Sequence, residues 1–235
     1  MTDSNPVPEA QPLDWRDGDM PYSPQFGDHF YCQTDGRLEC SHVFLAGNGL
    51  PERWESPENF AIGELGFGTG LNFCETWRQW KHVRHAGAGL HFTSFELYPM
   101  DRASIDRALS HWPELDAERE ALTRLWPDNP QGRIELQLDE QTKLTVVCGA
   151  ALDNVVGHAI RFDAWFLDGF APSRNPDMWS PELMSAVCEK TTAGGSFATY
   201  AAAGFVRRNL QAAGFTVERR PGFAGKREML CGKKG

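Results

Sequence analysis

Three glycines at alternate positions, Gly66, Gly68 and Gly70, follow a carboxylate, Glu64, and a short apolar run at 60–62. Glycine lets a backbone turn sharply and approach a ligand closely. A buried strand, a glycine turn and a helical pattern starting near Leu71 therefore make a cradle for a nucleotide or nucleoside. The spacing selects among such ligands. A dinucleotide fingerprint needs a glycine at position 71, which is leucine, so the loop is misplaced for pyrophosphate. A carboxylate at Glu64 suits a cation better than a phosphate. One unit further on, Glu96 ends a Ser-Phe-Glu strand tip, where it can accept both hydroxyls of a ribose. Tyr98 follows, either as a face for an adenine or as ordinary core. The stretch Asp-Gly-Phe-Ala-Pro at 168–172 combines a carboxylate, a tight turn and a flat side chain. A carboxylate at Asp168 accepts an N–H from an amine nucleophile, orients its lone pair and offsets the charge that develops as it attacks. Phe170 offers a platform for a splayed base. The plainer alternative makes Asp168 a turn-former before Gly169.

Chemistry of this kind needs a sheet to position it, and the chain alternates accordingly. Strands are expected at 60–62, 90–95, 144–148, 164–167 and 196–200, each followed by a helix, at 71–80, 100–110, 151–156, 181–190 and 204–213. Ser180 and Pro181 form a capped helix start, and Gly214 a helix stop. A second helix at 115–125 and a hairpin pairing 134–138 with 144–148 read as insertions. The end of the chain, 215–219 and 228–231, reads as an antiparallel hairpin. The fold class is α/β, a doubly wound and mostly parallel sheet with helices on both faces and an antiparallel C-terminal strand. Ligands of such sheets sit at the carboxyl ends of the strands, where Glu64, Glu96 and Asp168 fall. Before the core, residues 1–21 read as a loosely held arm rich in Pro and Asp. Residues 22–57 read as an extension packed on the sheet, with a strand at 41–45 and a Gly-Asn-Gly turn. The main domain is 58–235.

Composition removes other classes. A chain of 235 residues with 41% hydrophobic content can form one sizeable domain with an ordinary core. No apolar stretch is long enough to span a membrane, and no secretory leader pattern begins the chain. Six scattered cysteines without a C-x-x-C pair read as reduced thiols of a cytoplasmic protein. His82 and His85 come nearest to metal spacing but have no cysteine or carboxylate partner, so no metal is expected. The net charge of −9 is unusual for a nucleic-acid enzyme. A local basic face is still available in Arg207, Arg208, Lys226 and Arg227.

The pattern of carboxylate and alternate glycines resembles the first motif of class I methyltransferases, whose ligand S-adenosylmethionine (SAM) carries a positive sulfonium. Longer segments narrow the resemblance. Phe-Gly-Thr-Gly-Leu-Asn-Phe (67–73), Trp-Phe-Leu-Asp-Gly-Phe-Ala-Pro (165–172), Asn-Pro-Asp-Met-Trp (175–179), Ala-Gly-Phe-Val-Arg-Arg (203–208) and Lys-Arg-Glu-Met-Leu (226–230) are similar to the methyltransferase part of the bifunctional tRNA 5-methylaminomethyl-2-thiouridine biosynthesis family. The resemblance runs from about residue 28 to the C-terminus. It implies SAM-dependent N-methylation of 5-aminomethyl(-2-thio)uridine at the tRNA wobble position. By position, Asp168 becomes the catalytic carboxylate. The residues Glu64, Gly66, Phe67, Gly68, Thr69, Gly70, Asn72, Glu96, Ala150 and Asp168 become the SAM site. Phe170, Pro172, Tyr200, Arg207, Arg208, Lys226 and Arg227 become substrate contacts. The FAD-dependent oxidase of the bifunctional relatives lies outside these residues, so the expected cofactor is SAM without FAD. An oxidase, joined or in trans, is an expected partner beside tRNA.

Two departures stand out. Relatives usually carry Gly-Asp where this chain has Gly149-Ala150, so the backbone or Asp153 must take over the adenine contact, or SAM affinity drops. Tyr200-Ala201 replaces a usual Phe-Thr or Phe-Ser. Two rival classes share the motifs: an enzyme acting on small amines, either a methyltransferase or an aminopropyltransferase, and a non-catalytic SAM- or RNA-binding module.

Overall fold

In the computed structural model, which describes residues 12–55 and 58–235, the chain first forms a small three-stranded sheet. Its strands are β1 (Asp14–Arg16), β2 (Met20–Ser23) and β3 (Asp28–His29). Residues 1–11 of the expected arm lie outside the described residues. The remainder of that stretch is ordered against the body of the protein. Met20 is buried, and the Arg107 guanidinium lies over the Trp15 ring while pairing with Asp19.

The strand expected at 41–45 is a helix. Asp35 caps α1 (Gly36–Glu39) by accepting from the Leu38 amide at 3.0 Å, and the chain continues as a wider π-helical turn through Cys40–Leu45. Cys40, Val43, Phe44 and Leu45 are all buried in one core cluster. A short apolar run buried on several sides has no periodicity that separates strand from helix, which is why the sequence misleads here. Asn48, in the Gly-Asn-Gly turn, then fastens this helical segment to the sheet. Its amide donates to the Phe44 and Trp165 carbonyls at 2.9 and 3.1 Å, and its oxygen accepts from Ser196 at 2.6 Å. Next to it, a side chain at Gly47 would collide with Ala198 and Met229, so the turn can approach the sheet only as glycine. Asn48→Ala withdraws a donor from two carbonyls and the acceptor of the Ser196 hydroxyl, which keeps its bond from Arg53. It is expected to cost about 2–3 kcal/mol, measurable as a shift of the urea midpoint.

The main sheet has eight strands. β4 (Phe60–Leu65) leads to α2 (Leu71–Val83) and β5 (Leu90–Glu96) to α3 (Arg102–Leu109) and α4 (Asp116–Leu125). The hairpin β6 (Arg133–Asp139) and β7 (Thr142–Cys148) precedes α5 (Ala151–Gly157), and β8 (Phe162–Leu167) precedes α6 (Pro181–Glu189). β9 (Thr191–Thr199), α7 (Gly204–Ala213), β10 (Phe215–Arg220) and β11 (Met229–Lys234) complete the chain. The spatial order is β10-β11-β9-β8-β4-β5-β7-β6. The five strands from β9 to β7 run parallel, while β6 is antiparallel at its edge. β11 is antiparallel to both neighbours, wedged between β9 and β10 instead of closing the edge. Core clusters on the two faces bury the sheet on both sides, which accounts for the nearly continuous apolar runs of β4 and β8.

Strand order turns back at β4. The chain moves outward from β4 to β5 and returns to lay β8 on the other flank of β4. The crevice at this switch point, beyond the carboxyl ends of β4 and β8, is where open α/β sheets bind ligands.

Candidate active site

The loop after β4 has left-handed φ at all three alternate glycines, +84°, +53° and +78°, a conformation that a side chain would strain. Phe67 folds back between them and stacks on Trp126, with ring centroids 5.1 Å apart and planes 6° from parallel. Glu96 holds the loop from the end of β5. Its Oε2 accepts from the Gly68 amide at 2.9 Å and its Oε1 from the Tyr98 amide at 2.7 Å. Each carboxylate oxygen keeps a lone pair for a ribose hydroxyl.

Asp168 stands across the crevice at the end of β8. Its Oδ1 accepts from the Gly169 amide and its Oδ2 from the Asn72 side-chain amide, both at 2.7 Å. The same Asn72 nitrogen donates to Glu64 Oε1 at 3.0 Å. One amide in the first turn of α2 thus joins the carboxylate under the glycine loop to the carboxylate opposite it. Burial raises the Asp168 pKa from its usual 3.8 to about 7, and the Glu39 charge adds to the rise. The Gly169 and Asn72 hydrogen bonds and the Lys226 charge hold it back.

Glu64 needs a correction. It was expected to meet a cationic ligand directly, but it is fully buried beneath the loop and contributes nothing to the cavity wall. Its side chain points back into the sheet beside Ser94, its register partner on β5. Burial drives its pKa well upward, Asp168 and Glu96 add to the rise, and Ser94 and Asn72 oppose it. Glu64 acts on the site through Asn72. Gly70 is likewise buried, as the residue that opens α2.

The cavity beyond the strand ends has a volume of about 1020 Å³. Gly66, Phe67, Gly68, Thr69, Asn72 and Glu96 wall its cofactor end. Tyr98 and Ala150 line it as well. Asp153 is exposed and outside the lining, so it does not replace the missing carboxylate at Ala150. That wall is completed by Ala150, Ala151 and Leu152. Asp168, Phe170, Tyr200 and Lys226 line the other end. Phe170 is not a free platform, because Phe26 stacks on it at 4.5 Å and Phe30 meets it edge-on at 5.1 Å. Pro172 shapes the following turn without lining the cavity. Arg207, Arg208 and Arg227 are outside the lining too. Arg207 is half-buried, whereas Arg208 and Arg227 are exposed. Lys226 turns inward, its Nζ 2.6 Å from Glu39 Oε1. All four basic residues still flank the carboxyl edge, since α7 begins just past β9 and the 221–228 turn follows β10.

Three lining carboxylates, Asp28, Glu39 and Asp177, escaped the sequence reading. Glu39 comes from α1, and Asp28 accepts from the Ala171 amide at 3.2 Å, tying the N-terminal segment to the Asp168 turn. Misreading 41–45 as a strand hid Glu39. Its only signal was the Asp35 cap before it. Among the described residues, no group of three or more His, Cys, Asp or Glu is placed to hold a metal ion. No helix there is long and apolar enough to cross a membrane.

A doubly wound sheet reversing at β4, with a glycine loop, a strand-end carboxylate for ribose and an acidic acceptor end, defines the class I SAM-dependent methyltransferases. A profile for S-adenosyl-L-methionine-dependent methyltransferases matches residues 113–235, over half of the sequence. The chain belongs to that family. Over 227 residues it is 44% identical to the tRNA 5-methylaminomethyl-2-thiouridine biosynthesis bifunctional protein MnmC of Chromohalobacter salexigens, covering 94% of this chain and 32% of the relative. Identity is again 44%, over 223 residues, to the protein of the same name from Caulobacter vibrioides, covering 93% and 37%. The chain therefore spans about a third of the length of these relatives. Among solved structures, MNMC2 from Aquifex aeolicus superposes with a TM-score of 0.76 at 21% identity, covering 97% of this chain and 72% of that one.

Proposed function

We propose that this chain methylates the exocyclic amine of 5-aminomethyl(-2-thio)uridine at the tRNA wobble position, using SAM. The observation that carries the reading is the placement of Asp168 at the end of β8, joined through Asn72 to Glu64 under the glycine loop. The names of the relatives supply the substrate. An oxidase, joined or in trans, would deliver the amine.

The residues present fit SAM. Glu96 offers ribose acceptors beside the loop. With its amide nitrogen committed to two carboxylates, Asn72 has its carbonyl oxygen left to accept from a ligand ammonium. When bound, SAM supplies a methyl group that an amine nitrogen takes as the carbon–sulfur bond breaks with its electron pair going to sulfur. The amine arrives as an ammonium at neutral pH, and only its neutral form has a lone pair. Asp168, with a proton affinity far above that of an ordinary carboxylate, takes that proton and keeps the nitrogen aligned. Tyr200 fixes the turn beneath it by donating its hydroxyl to the Gly169 carbonyl.

An acidic site and a net charge of −9 also suit a free polyamine. The exposed Arg208 and Arg227 separate the two readings. Changing both to glutamine should raise the KM for tRNA and flatten its dependence on salt, with the SAM Kd unchanged. An unaltered salt slope, or equal turnover of free polyamine after nuclease treatment, would favour the small amine.

A further inference from the structure

Glu39 reaches the acceptor end of the cavity from near the start of the chain, and Lys226 from near its end. Their side chains are 9% and 42% exposed, and Lys226 is the side-chain partner of Glu39 among the described residues. The same ammonium sits 4.5 Å from the centroid of the Tyr200 ring. Tyr200 in turn donates to the carbonyl of Gly169, the residue after Asp168. An alkylammonium is thus already held in this cavity, against an aromatic face and a buried carboxylate, next to the turn that carries Asp168. As a structural tie the pair is weak, because a half-exposed lysine is easily drawn off into water. As a mimic of the acceptor it is close, since a primary aminomethyl group arrives as an ammonium just as a lysine does.

We propose that Glu39 is a second carboxylate of the acceptor site and that Lys226 is a resident cation, displaced when the substrate ammonium enters. This rests on the amine-methylation reading and assigns two tasks that one carboxylate cannot perform at once. Asp168 takes one proton, the N–H bond breaking and an O–H bond forming, and is then neutral. Glu39 faces the positive charge that returns to nitrogen when the methyl group is gained. Lys226, released, is free to turn toward the phosphates outside. Other groups around Asp168 are Glu64 and Asn72 below it, Tyr200 beside it, Asp28 from the N-terminal segment and Cys40 on the helical run of Glu39. Glu39 and Lys226 act on Asp168 with opposite signs, the first raising and the second lowering its proton affinity.

Those opposite signs provide the test. Methylation of tRNA bearing the aminomethyl nucleoside is followed against pH at saturating SAM for the parent, Glu39→Gln and Lys226→Met. Glu39→Gln should raise the KM for tRNA at least about tenfold and move the acidic limb of kcat/KM to lower pH. Lys226→Met should move that limb to higher pH. Both should bind SAM as the parent does, a calorimetric check that each is folded. An unchanged KM in Glu39→Gln, or limbs that stay still or move together, would overturn the proposal. If Glu39→Gln does not fold, a limb in Lys226→Met that stays still or moves to lower pH still refutes it. A parent that leaves this tRNA unmethylated would instead overturn the underlying reaction, and this pairing with it.

Discussion

Asp168→Asn is expected to abolish methyl transfer and, at the same time, to make the protein more stable above neutral pH. The loss of activity should be at least about a hundredfold in kcat, because asparagine retains the shape but cannot take the proton of the ammonium. The SAM Kd should stay within a few-fold, since Glu96, the glycine loop and Asn72 are untouched. The gain in stability follows from linkage. Asp168 titrates near 7 in the folded protein and near 3.8 when unfolded, so the native state binds its proton more tightly. That contribution is fully present below pH 3.8 and is lost as pH rises through about 7. Three pKa units set a ceiling of about 4 kcal/mol, and partial solvation reduces the expected gain to about 1–3 kcal/mol. Melting curves should place the variant a few degrees above the parent at pH 8 and level with it near pH 4. A variant that methylates within a few-fold of the parent removes Asp168 from the chemistry.

Asn72→Ala has the second largest expected effect. It withdraws one donor from two carboxylates, Glu64 and Asp168, both of which it holds toward the charged form. Their proton affinities should rise further, so the acidic limb of the rate profile moves to higher pH. At pH 7 kcat/KM should fall by about tenfold to a hundredfold, recovering in part near pH 9. A flat loss across all pH values would mean that Asn72 acts on the cofactor alone.

These effects depend on contacts of unequal legibility. The switch-point crevice could be read from the chain because the signals are local: alternate glycines after an apolar run, and carboxylates at strand tips. Glu96 and Asp168 stand where that reasoning places them, with the cavity between. Glu64 carries an equally clear signal, yet lies buried under the loop and reaches the site only through Asn72. Asn72 looked like a cofactor contact, but its bridge needs β8 brought beside β4, a long-range pairing. Glu39 and Asp28 were invisible for the same reason. Both belong to an extension whose path is set by Asn48 and by Phe26 and Phe30 closing on Phe170, more than a hundred residues away in sequence. Lys226 was legible as a cation near the substrate edge. Its inward turn was not, because only the folded chain places Glu39 within its reach.

The most direct measurement of methyl transfer to the amine is nucleoside mass spectrometry of tRNA bearing 5-aminomethyl-2-thiouridine, incubated with the protein and SAM. This nucleoside alone should gain the mass of one CH2, and the gain should disappear with Asp168→Asn. An unmodified nucleoside in the presence of protein shown to bind SAM, or a gain elsewhere in the tRNA, would contradict that reaction.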